Sequence, residues 1–283
     1  MTKLIIEPDS GINPVLRAIA TASRTIDILI FRLDCKSVTR HLEEAIARGV
    51  VVRGIIARKH EGGTRDLRRL ERRLLRAGAV LARTAGDLTR YHGKMMIVDG
   101  RLLHVYGFNF TDTDYRSRSF GIVTDDKALV REGLRLFDAD ATRQRYRTEH
   151  PQLVVSPENS RAVLSEFIRG ARRRLFIYDP RLGDGAIHQL LMQRAAAGVD
   201  VRIIGKARPK IASELDVRKH PGRRLHVRAM IRDGERAFVG SQSLRAVAFD
   251  RRREIGVIVR DPGVVRRIQA VFEHDWALTT PST

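Results

Sequence analysis

Residues 91–99 read Tyr-His-Gly-Lys-Met-Met-Ile-Val-Asp, with a histidine two residues before a lysine and seven residues before an aspartate. The same spacing returns at residues 225–233, Leu-His-Val-Arg-Ala-Met-Ile-Arg-Asp, where arginine takes the place of lysine. Each stretch runs into an Asp-Gly pair between apolar runs, which predicts a tight hairpin turn of the primed type. Because side chains alternate along a strand, each histidine is expected on the first hairpin strand, facing the same way as the cation two residues later.

The two stretches belong to an internal duplication. Asn109 follows His92 at the same interval at which Ser243 follows His226. After the histidines, equivalent segments of the two halves are separated by one constant number of residues. Before the histidines, the separation between equivalent segments is longer. The first half therefore carries about 15 extra residues, which we assign to an insertion around residues 58–88. The chain is predicted to form two similar lobes, residues 1–149 and 150–283.

Each half shows the same predicted order of elements: strand, helix, strand, helix, hairpin, strand and helix. Residues 14–22 and 37–48 have helical apolar spacing. Residues 26–31 and 50–56 are continuous apolar runs, typical of strands covered on both faces. The alternation predicts an α/β fold with a mixed sheet flanked by helices in each lobe.

The formal charge of +20 and a pI near 11.2 predict strong, salt-sensitive attraction to polyanions, either nucleic acid or an anionic membrane. The first residues lack the features of a secretory signal, and no apolar run is long enough to span a bilayer. We therefore expect a cytoplasmic protein whose contact with a membrane is at most peripheral. Cys35 is the only cysteine, which excludes an internal disulfide and a cysteine-based zinc site.

Many of the basic residues lie in local clusters, most of which are expected to be solvated faces. A predicted helix within the insertion carries six arginines: Arg65, Arg68, Arg69, Arg72, Arg73 and Arg76. One cluster stands out because it directly precedes an acidic residue, Glu254. Its members are expected to line the entrance to a site: Arg251, Arg252 and Arg253.

The repeated His-x-Lys-x4-Asp motif, with Asn109 at a fixed interval after the first histidine, resembles the phospholipase D superfamily over almost the whole chain. Within that superfamily, the chain is most similar to phospholipase D-like and cardiolipin synthase-like proteins. The resemblance implies that the two motifs meet at the lobe interface and that the reaction needs neither a metal nor a cofactor. Because one chain supplies both histidines, a monomer is sufficient for catalysis.

Phosphodiester cleavage by two histidines gives each motif residue an expected role. One neutral imidazole attacks phosphorus, while the other, protonated, donates to the leaving oxygen and then serves as a base. Lys94, Arg228 and Asn109 are expected to hold the nonbridging oxygens, with support from Ser241 and Ser243.

The resemblance also assigns the two histidines different roles. An acidic residue near the Glu254 position of one lobe orients the histidine of the other lobe in relatives, so Glu254 is expected to bond to His92. A carboxylate partner favours His92 as the nucleophile and His226 as the general acid and base. The equivalent place facing His226 holds Ser119, although Asp112 or Asp114 on the same loop is an alternative.

The motif aspartates Asp99 and Asp233 are expected to be structural, since each begins a hairpin turn away from its histidine. Three residues depart from the superfamily pattern: Arg228 stands where lysine is usual, Ser243 where asparagine is usual, and Ser119 where an acidic residue is common. Arginine keeps the charge but differs in shape from lysine, so weaker phosphate binding is expected in the second lobe.

The central residues define the bond that is cleaved and not the molecule that contains it. The two-lobed single chain favours a phospholipase D-type reaction, either phospholipid hydrolysis or phosphatidyl transfer. The positive charge favours a metal-independent nuclease, the second hypothesis. The third is a polyanion-binding protein that has lost turnover.

Overall fold

A computed structural model describes residues 1–56 and 64–281 of the protein, and it confirms the predicted α/β fold of two lobes with mixed sheets. The elements of the first half are β1 (Thr2–Glu7), α1 (Asn13–Ala20), β2 (Thr25–Ile30), α2 (Lys36–Ala47), β3 (Val51–Ile56), α3 (Thr64–Ala77), β4 (Val80–Arg83), β5 (Arg90–Tyr91), β6 (Lys94–Val98), β7 (Leu102–Tyr106), α4 (Asp112–Tyr115), β8 (Ser119–Thr124) and α5 (Lys127–Thr142).

The second half repeats this order with small differences. Its elements are β9 (Leu153–Ser156), α6 (Ser160–Arg169), β10 (Arg174–Leu182), α7 (Gly185–Ala196), β11 (Asp200–Ala207), α8 (Pro209–Glu214), β12 (Asp216–Lys219), β13 (Ala229–Arg232), β14 (Arg236–Gly240), α9 (Ala246–Asp250), β15 (Arg252–Val259), α10 (Pro262–Ala277) and β16 (Thr280–Pro281). Among the described residues, no helix is both long enough and apolar enough to cross a bilayer.

Each lobe is built on one mixed sheet. The first has the order β1-β8-β7-β6-β2-β3-β4, in which β2, β3 and β4 are parallel and the other neighbours are antiparallel. The second has the order β16-β12-β11-β10-β13-β14-β15, and β9 pairs with β15. Strand β5 belongs to the first half of the chain but pairs in parallel with β15 of the second lobe. The lobes are thus joined by backbone pairing as well as by side chains.

Part of the extra length of the first half lies in a longer helix between two equivalent strands, within the range expected for the insertion. Helix α3 has 14 residues and lies between β3 and β4, whereas α8 has 6 residues and lies between the equivalent strands β11 and β12. The described part of α3 packs Leu74 into the core of the first lobe, and Arg73 pairs with Glu43 of α2. Part of the expected insertion, residues 57–63, lies outside the described residues.

Both predicted hairpin turns are present. Asp99 and Gly100 have φ angles of 55° and 61°, and Asp233 and Gly234 have φ angles of 56° and 74°. Positive φ at both central residues defines the primed turn that matches the twist of the flanking strands. Each aspartate also accepts hydrogen bonds from three successive backbone amides, at residues 23–25 and 172–174 respectively. The two carboxylates therefore hold the hairpin against the start of β2 or β10.

The prediction that the histidines lie on the hairpin strands is wrong. Strand β6 begins at Lys94 and β13 at Ala229, so each histidine precedes its strand. The His92 amide instead donates to the carbonyl of Arg253 over 2.7 Å, and the His226 amide donates to the carbonyl of Arg118 over 3.1 Å. The backbone amide of each histidine therefore donates to the opposite lobe and not to its own hairpin.

Two buried ion pairs fix those carbonyl groups, and we call them the reciprocal arginine clamp. Arg118 of the first lobe donates to Asp275 of the second over 2.7 and 3.0 Å. Arg253 of the second lobe contacts Asp140 of the first at 3.1 and 3.0 Å. The two pairs occupy equivalent places in the duplication. A shared apolar cluster surrounds them, in which the rings of Phe120 and Tyr178 lie 5.8 Å apart.

Replacement of Arg118 by methionine is expected to lower the free energy of unfolding by about 3–5 kcal/mol, because the Asp275 carboxylate is left buried without its cation. Arg169→Met is the matched control, since the side chains of Arg169 and its partner Glu166 are 54% and 69% exposed. An exposed pair of this kind contributes at most about 1 kcal/mol. Urea unfolding measures both changes, and equal losses in the two variants would contradict a structural role for the clamp.

Candidate active site

A cavity of about 640 Å³ lies where the lobes meet, and both motif histidines line it. We call it the interface cavity. His92 comes from the first lobe and His226 from the second, and their side chains are 9% and 10% exposed. The cross-lobe backbone bonds therefore place two imidazoles, which are far apart in the sequence, on the wall of one shared space.

The Glu254 carboxylate orients the His92 ring. Glu254 Oε2 lies 2.8 Å from His92 Nδ1. Since an ionised carboxylate can only accept a hydrogen bond, Nδ1 carries the proton and the lone pair is on Nε2. Lys94, fully buried beneath the site, places Nζ 3.2 Å from that Nε2. The geometry leaves Nε2 as the nitrogen that can bond to another atom.

A different carboxylate serves His226. Asp114 of α4 places Oδ1 3.0 Å from His226 Nδ1, the distance of an ion pair, although the alignment does not meet hydrogen-bond geometry. Of the two acids that the sequence offered as alternatives, Asp112 is exposed and Asp114 is buried. Ser119 does not contact the ring, because its hydroxyl donates to the His226 carbonyl over 3.2 Å. Each histidine thus has a carboxylate from the opposite lobe.

Burial lowers the pKa of His92 to about 3 and the pKa of His226 to about 4, although their carboxylate partners act in the opposite direction. Both imidazoles are therefore neutral at pH 7. Burial also lowers the pKa of Lys94 from 10.5 to about 7. An anion in the cavity would raise all three values, because opposite charge stabilises the protonated forms.

Glu254 and Asp114 are ionised despite being buried. Burial raises the pKa of the Glu254 carboxyl, but the contacts with His92 and Lys94 outweigh it and the net shift is downward. The same balance lowers the pKa of Asp114, where His226 and Asn109 outweigh burial. Ser241 adds to the effect at Glu254, and its hydroxyl also accepts from the Ile255 amide over 3.0 Å. Ser241 therefore supports Glu254 and is absent from the cavity lining that the structure describes.

The structure does not place Asn109 as the sequence suggested. Its backbone and side-chain amides both donate to Asp114 Oδ2, over 2.9 and 2.7 Å, and it is not part of the described cavity lining. Asn109 thus holds the carboxylate that faces His226 and is not positioned to contact a phosphate. Arg228 and Ser243 do line the cavity, with Arg228 Nε 3.3 Å from the Ser243 hydroxyl.

Of the three arginines expected at the entrance, only Arg252 lines the cavity. Arg253 is buried in the reciprocal arginine clamp, where Nη1 also donates to the Ser156 carbonyl over 2.9 Å. Arg251 is exposed but absent from the described lining. The expectation is therefore wrong for two of the three, because alternate residues of β15 point to opposite faces.

Sequence reasoning missed most of the charge around the cavity. Nine of the sixteen described lining residues are arginine or lysine, and none is aspartate or glutamate. They include Lys206 and Lys219 near the ends of β11 and β12, which carry no motif. Besides Arg228 and Arg252, the pair Arg223 and Arg224, directly before the second motif, offered a local signal.

The family model described as "Cardiolipin synthase, PLD-like domain" matches residues 15–141 and 164–276. A crystal structure of polyphosphate kinase from Porphyromonas gingivalis matches with a TM-score of 0.80 and 20% identity, over 98% of this chain and 50% of the kinase. The chain thus spans half the length of that protein. Phosphatidylserine synthase from Haemophilus influenzae Rd KW20 matches with a TM-score of 0.74 and 11% identity, over 99% of this chain and 87% of the synthase.

Comparison with curated protein sequences gives no significant match. At these identities the two structures show a shared fold and nothing further about activity. The family model, in contrast, matches each half of the duplication and spans both histidine motifs. The chain belongs to the phospholipase D superfamily.

Proposed function

We propose that the protein is a phosphodiesterase that cleaves nucleic acid through a covalent phosphohistidine at His92. The observation that carries the proposal is the pair of carboxylate-backed histidines that line one cationic cavity. Imidazoles from two lobes on one cavity suit attack and proton transfer at a single phosphorus atom.

In the first step His92 Nε2 forms a bond to phosphorus, and the bond between phosphorus and the leaving oxygen breaks. The proton that this oxygen needs comes from His226 Nε2, since Nδ1 of the same ring faces Asp114. His226 must therefore take up a proton when the anionic substrate binds, because its pKa is lowered to about 4 in this structure. The negative phosphodiester supplies the attraction that raises this pKa.

In the second step water replaces the leaving group. Neutral His226 takes a proton from water as its oxygen bonds to phosphorus, and the bond between phosphorus and His92 Nε2 breaks. His226 is then protonated as it was in the substrate complex, and it gives this proton to solvent when the product leaves, because its pKa falls again to about 4. His92 returns to its starting form. Glu254 holds the Nδ1 proton of His92 in both steps, so Nε2 keeps its nucleophilic lone pair.

Arg228 and Ser243, which line the cavity, are the groups best placed to bond to the nonbridging oxygens. Lys94 is absent from the described lining and contributes its charge from beneath the site. Lys94 Nζ lies beside the attacking nitrogen at 3.2 Å, and Arg228 and Ser243 line the cavity on the side of His226. Fixed positive charge and donors of this kind stabilise negative charge that develops in the transition state. Arginine in the second motif therefore keeps the function of the usual lysine.

The cavity lining favours nucleic acid over phospholipid and reverses the preference drawn from the sequence. Among the described lining residues, only Pro180 and Leu225 offer apolar side chains of appreciable size, which is little surface for an acyl chain. The nine cations instead suit a chain with several phosphates.

Incubation with labelled single-stranded DNA, duplex DNA, RNA and phospholipid vesicles, all with EDTA present, separates the candidate functions. We expect cleavage of nucleic acid and no release from vesicles. His92→Ala is expected to reduce the rate by at least about a thousandfold, since it removes the nucleophile. Cleavage of phospholipid alone would restore the lipid hypothesis, and binding without cleavage would support an inactive polyanion-binding protein.

The value of kcat/KM is expected to fall by about tenfold per pH unit between pH 5 and 7, because the free enzyme must have His226 protonated. The fall is expected to steepen above pH 7, where Lys94, with a pKa of about 7, loses its charge. Lys94→Arg is the matched variant: its profile keeps the first decline and lacks the steeper part, since arginine stays charged. A rate that is constant or rises from pH 5 to 8 would contradict these proton assignments.

A further inference from the structure

We propose that the second lobe holds the leaving portion of the substrate through a group of five cations that line the cavity, and this inference rests on the proposed nuclease function. The five residues are Arg181, Lys206, Lys219, Arg223 and Arg245. We call them the leaving-strand subsite. The sequence motifs do not include these residues, and none of them has a part in the two chemical steps.

The interface cavity is strongly asymmetric. Of its sixteen described lining residues, only Arg90 and His92 come from the first half of the chain. The cavity therefore extends from the two histidines across the second lobe. Its floor is formed near the carboxyl ends of the parallel strands β10, β11 and β12, which carry Arg181, Lys206 and Lys219.

The five cations of the leaving-strand subsite have no carboxylate within ion-pair distance in the part of the chain that the structure describes. The neighbouring cations differ: Arg224 lies 3.0 Å from Asp114, and Arg252 lies 3.9 Å from Glu254. Unpaired cations are common in a chain with a formal charge of +20, and these five differ because they line one concave surface. A group of like charges in a concave surface raises the local concentration of anions, so a chain of phosphates is its complementary ligand.

The chemistry of the two histidines sets the direction in which that chain runs. In an in-line displacement, the leaving oxygen lies opposite the attacking nitrogen. His92 attacks from the first lobe, and His226 protonates the leaving oxygen from the second lobe. The leaving portion therefore starts on the side of the second lobe, where the leaving-strand subsite lies. Among the described lining residues, the first half of the chain contributes one cation, Arg90.

The residues that line the cavity also indicate how the nucleic acid substrate is recognised. No phenylalanine, tyrosine or tryptophan is among the described residues that line the cavity. Without aromatic rings, bases have no stacking platform, and binding depends on phosphates. We therefore expect recognition that is independent of sequence and strongly weakened by salt.

Two single-stranded oligonucleotides test this directly. Each contains one ordinary phosphodiester at the same place, flanked by three phosphorothioate links, which keep the negative charge but resist cleavage, on one side and by uncharged methylphosphonate links on the other. The fragment that ends in a hydroxyl at the cut is by definition the leaving portion. The substrate with charge on the leaving side is expected to have a KM at least about tenfold lower than the substrate with charge on the retained side.

The triple variant Lys206→Ala/Lys219→Ala/Arg245→Ala is expected to remove most of that difference. The matched control is Arg260→Ala/Arg266→Ala/Arg267→Ala, which removes the same charge from exposed residues outside the cavity lining and is expected to keep the difference. Equal KM values for the two substrates, or a loss shared by both triple variants, would overturn the leaving-strand subsite while leaving the nuclease function intact. Failure to cleave either substrate or an unmodified strand would instead overturn the nuclease function and this inference with it.

Discussion

The reciprocal arginine clamp is the interaction on which the geometry of the site depends. Arg118 and Arg253 each reach across the lobe interface to a buried aspartate on the last helix of the other lobe. Removing one partner of such a pair leaves an uncompensated buried charge, so neither lobe can move away without a large free-energy penalty. The backbone carbonyls of the same two arginines accept the amides of His226 and His92. The clamp therefore fixes the lobes and the histidines together.

The duplication explains why the site is nearly symmetric, and its departures explain how the two histidines differ. Glu254 lies on β15 beside Arg253 and reaches His92 directly, whereas His226 relies on Asp114, which Asn109 and Arg224 hold in place. A fully buried lysine accompanies His92, and an arginine at the cavity wall accompanies His226. These differences suit one ring to attack phosphorus and the other to transfer protons.

Local and repeated signals in the sequence were sufficient for the fold and for part of the site. The Asp-Gly turns, the two lobes and the contact between Glu254 and His92 all follow from spacing, from the duplication or from the resemblance to a known superfamily. The positions of His92, Asn109 and Arg253 could not be predicted from the sequence. Each depends on a partner that is distant in the chain, or on which face of a strand the side chain occupies. The net charge predicted a polyanion but not its location, because Lys206, Lys219 and Arg245 meet only when separate elements pack together.

The central claim is that His92 forms the covalent bond to phosphorus and that His226 moves the protons. It is tested most directly with bis(p-nitrophenyl) phosphate, whose good leaving group needs no general acid, and the variant His226→Ala. The account predicts release of about one p-nitrophenolate per active site, followed by a stall, with mass spectrometry locating the phosphoryl group on His92. A phosphoryl group on any other residue, or no covalent adduct at all, would contradict it.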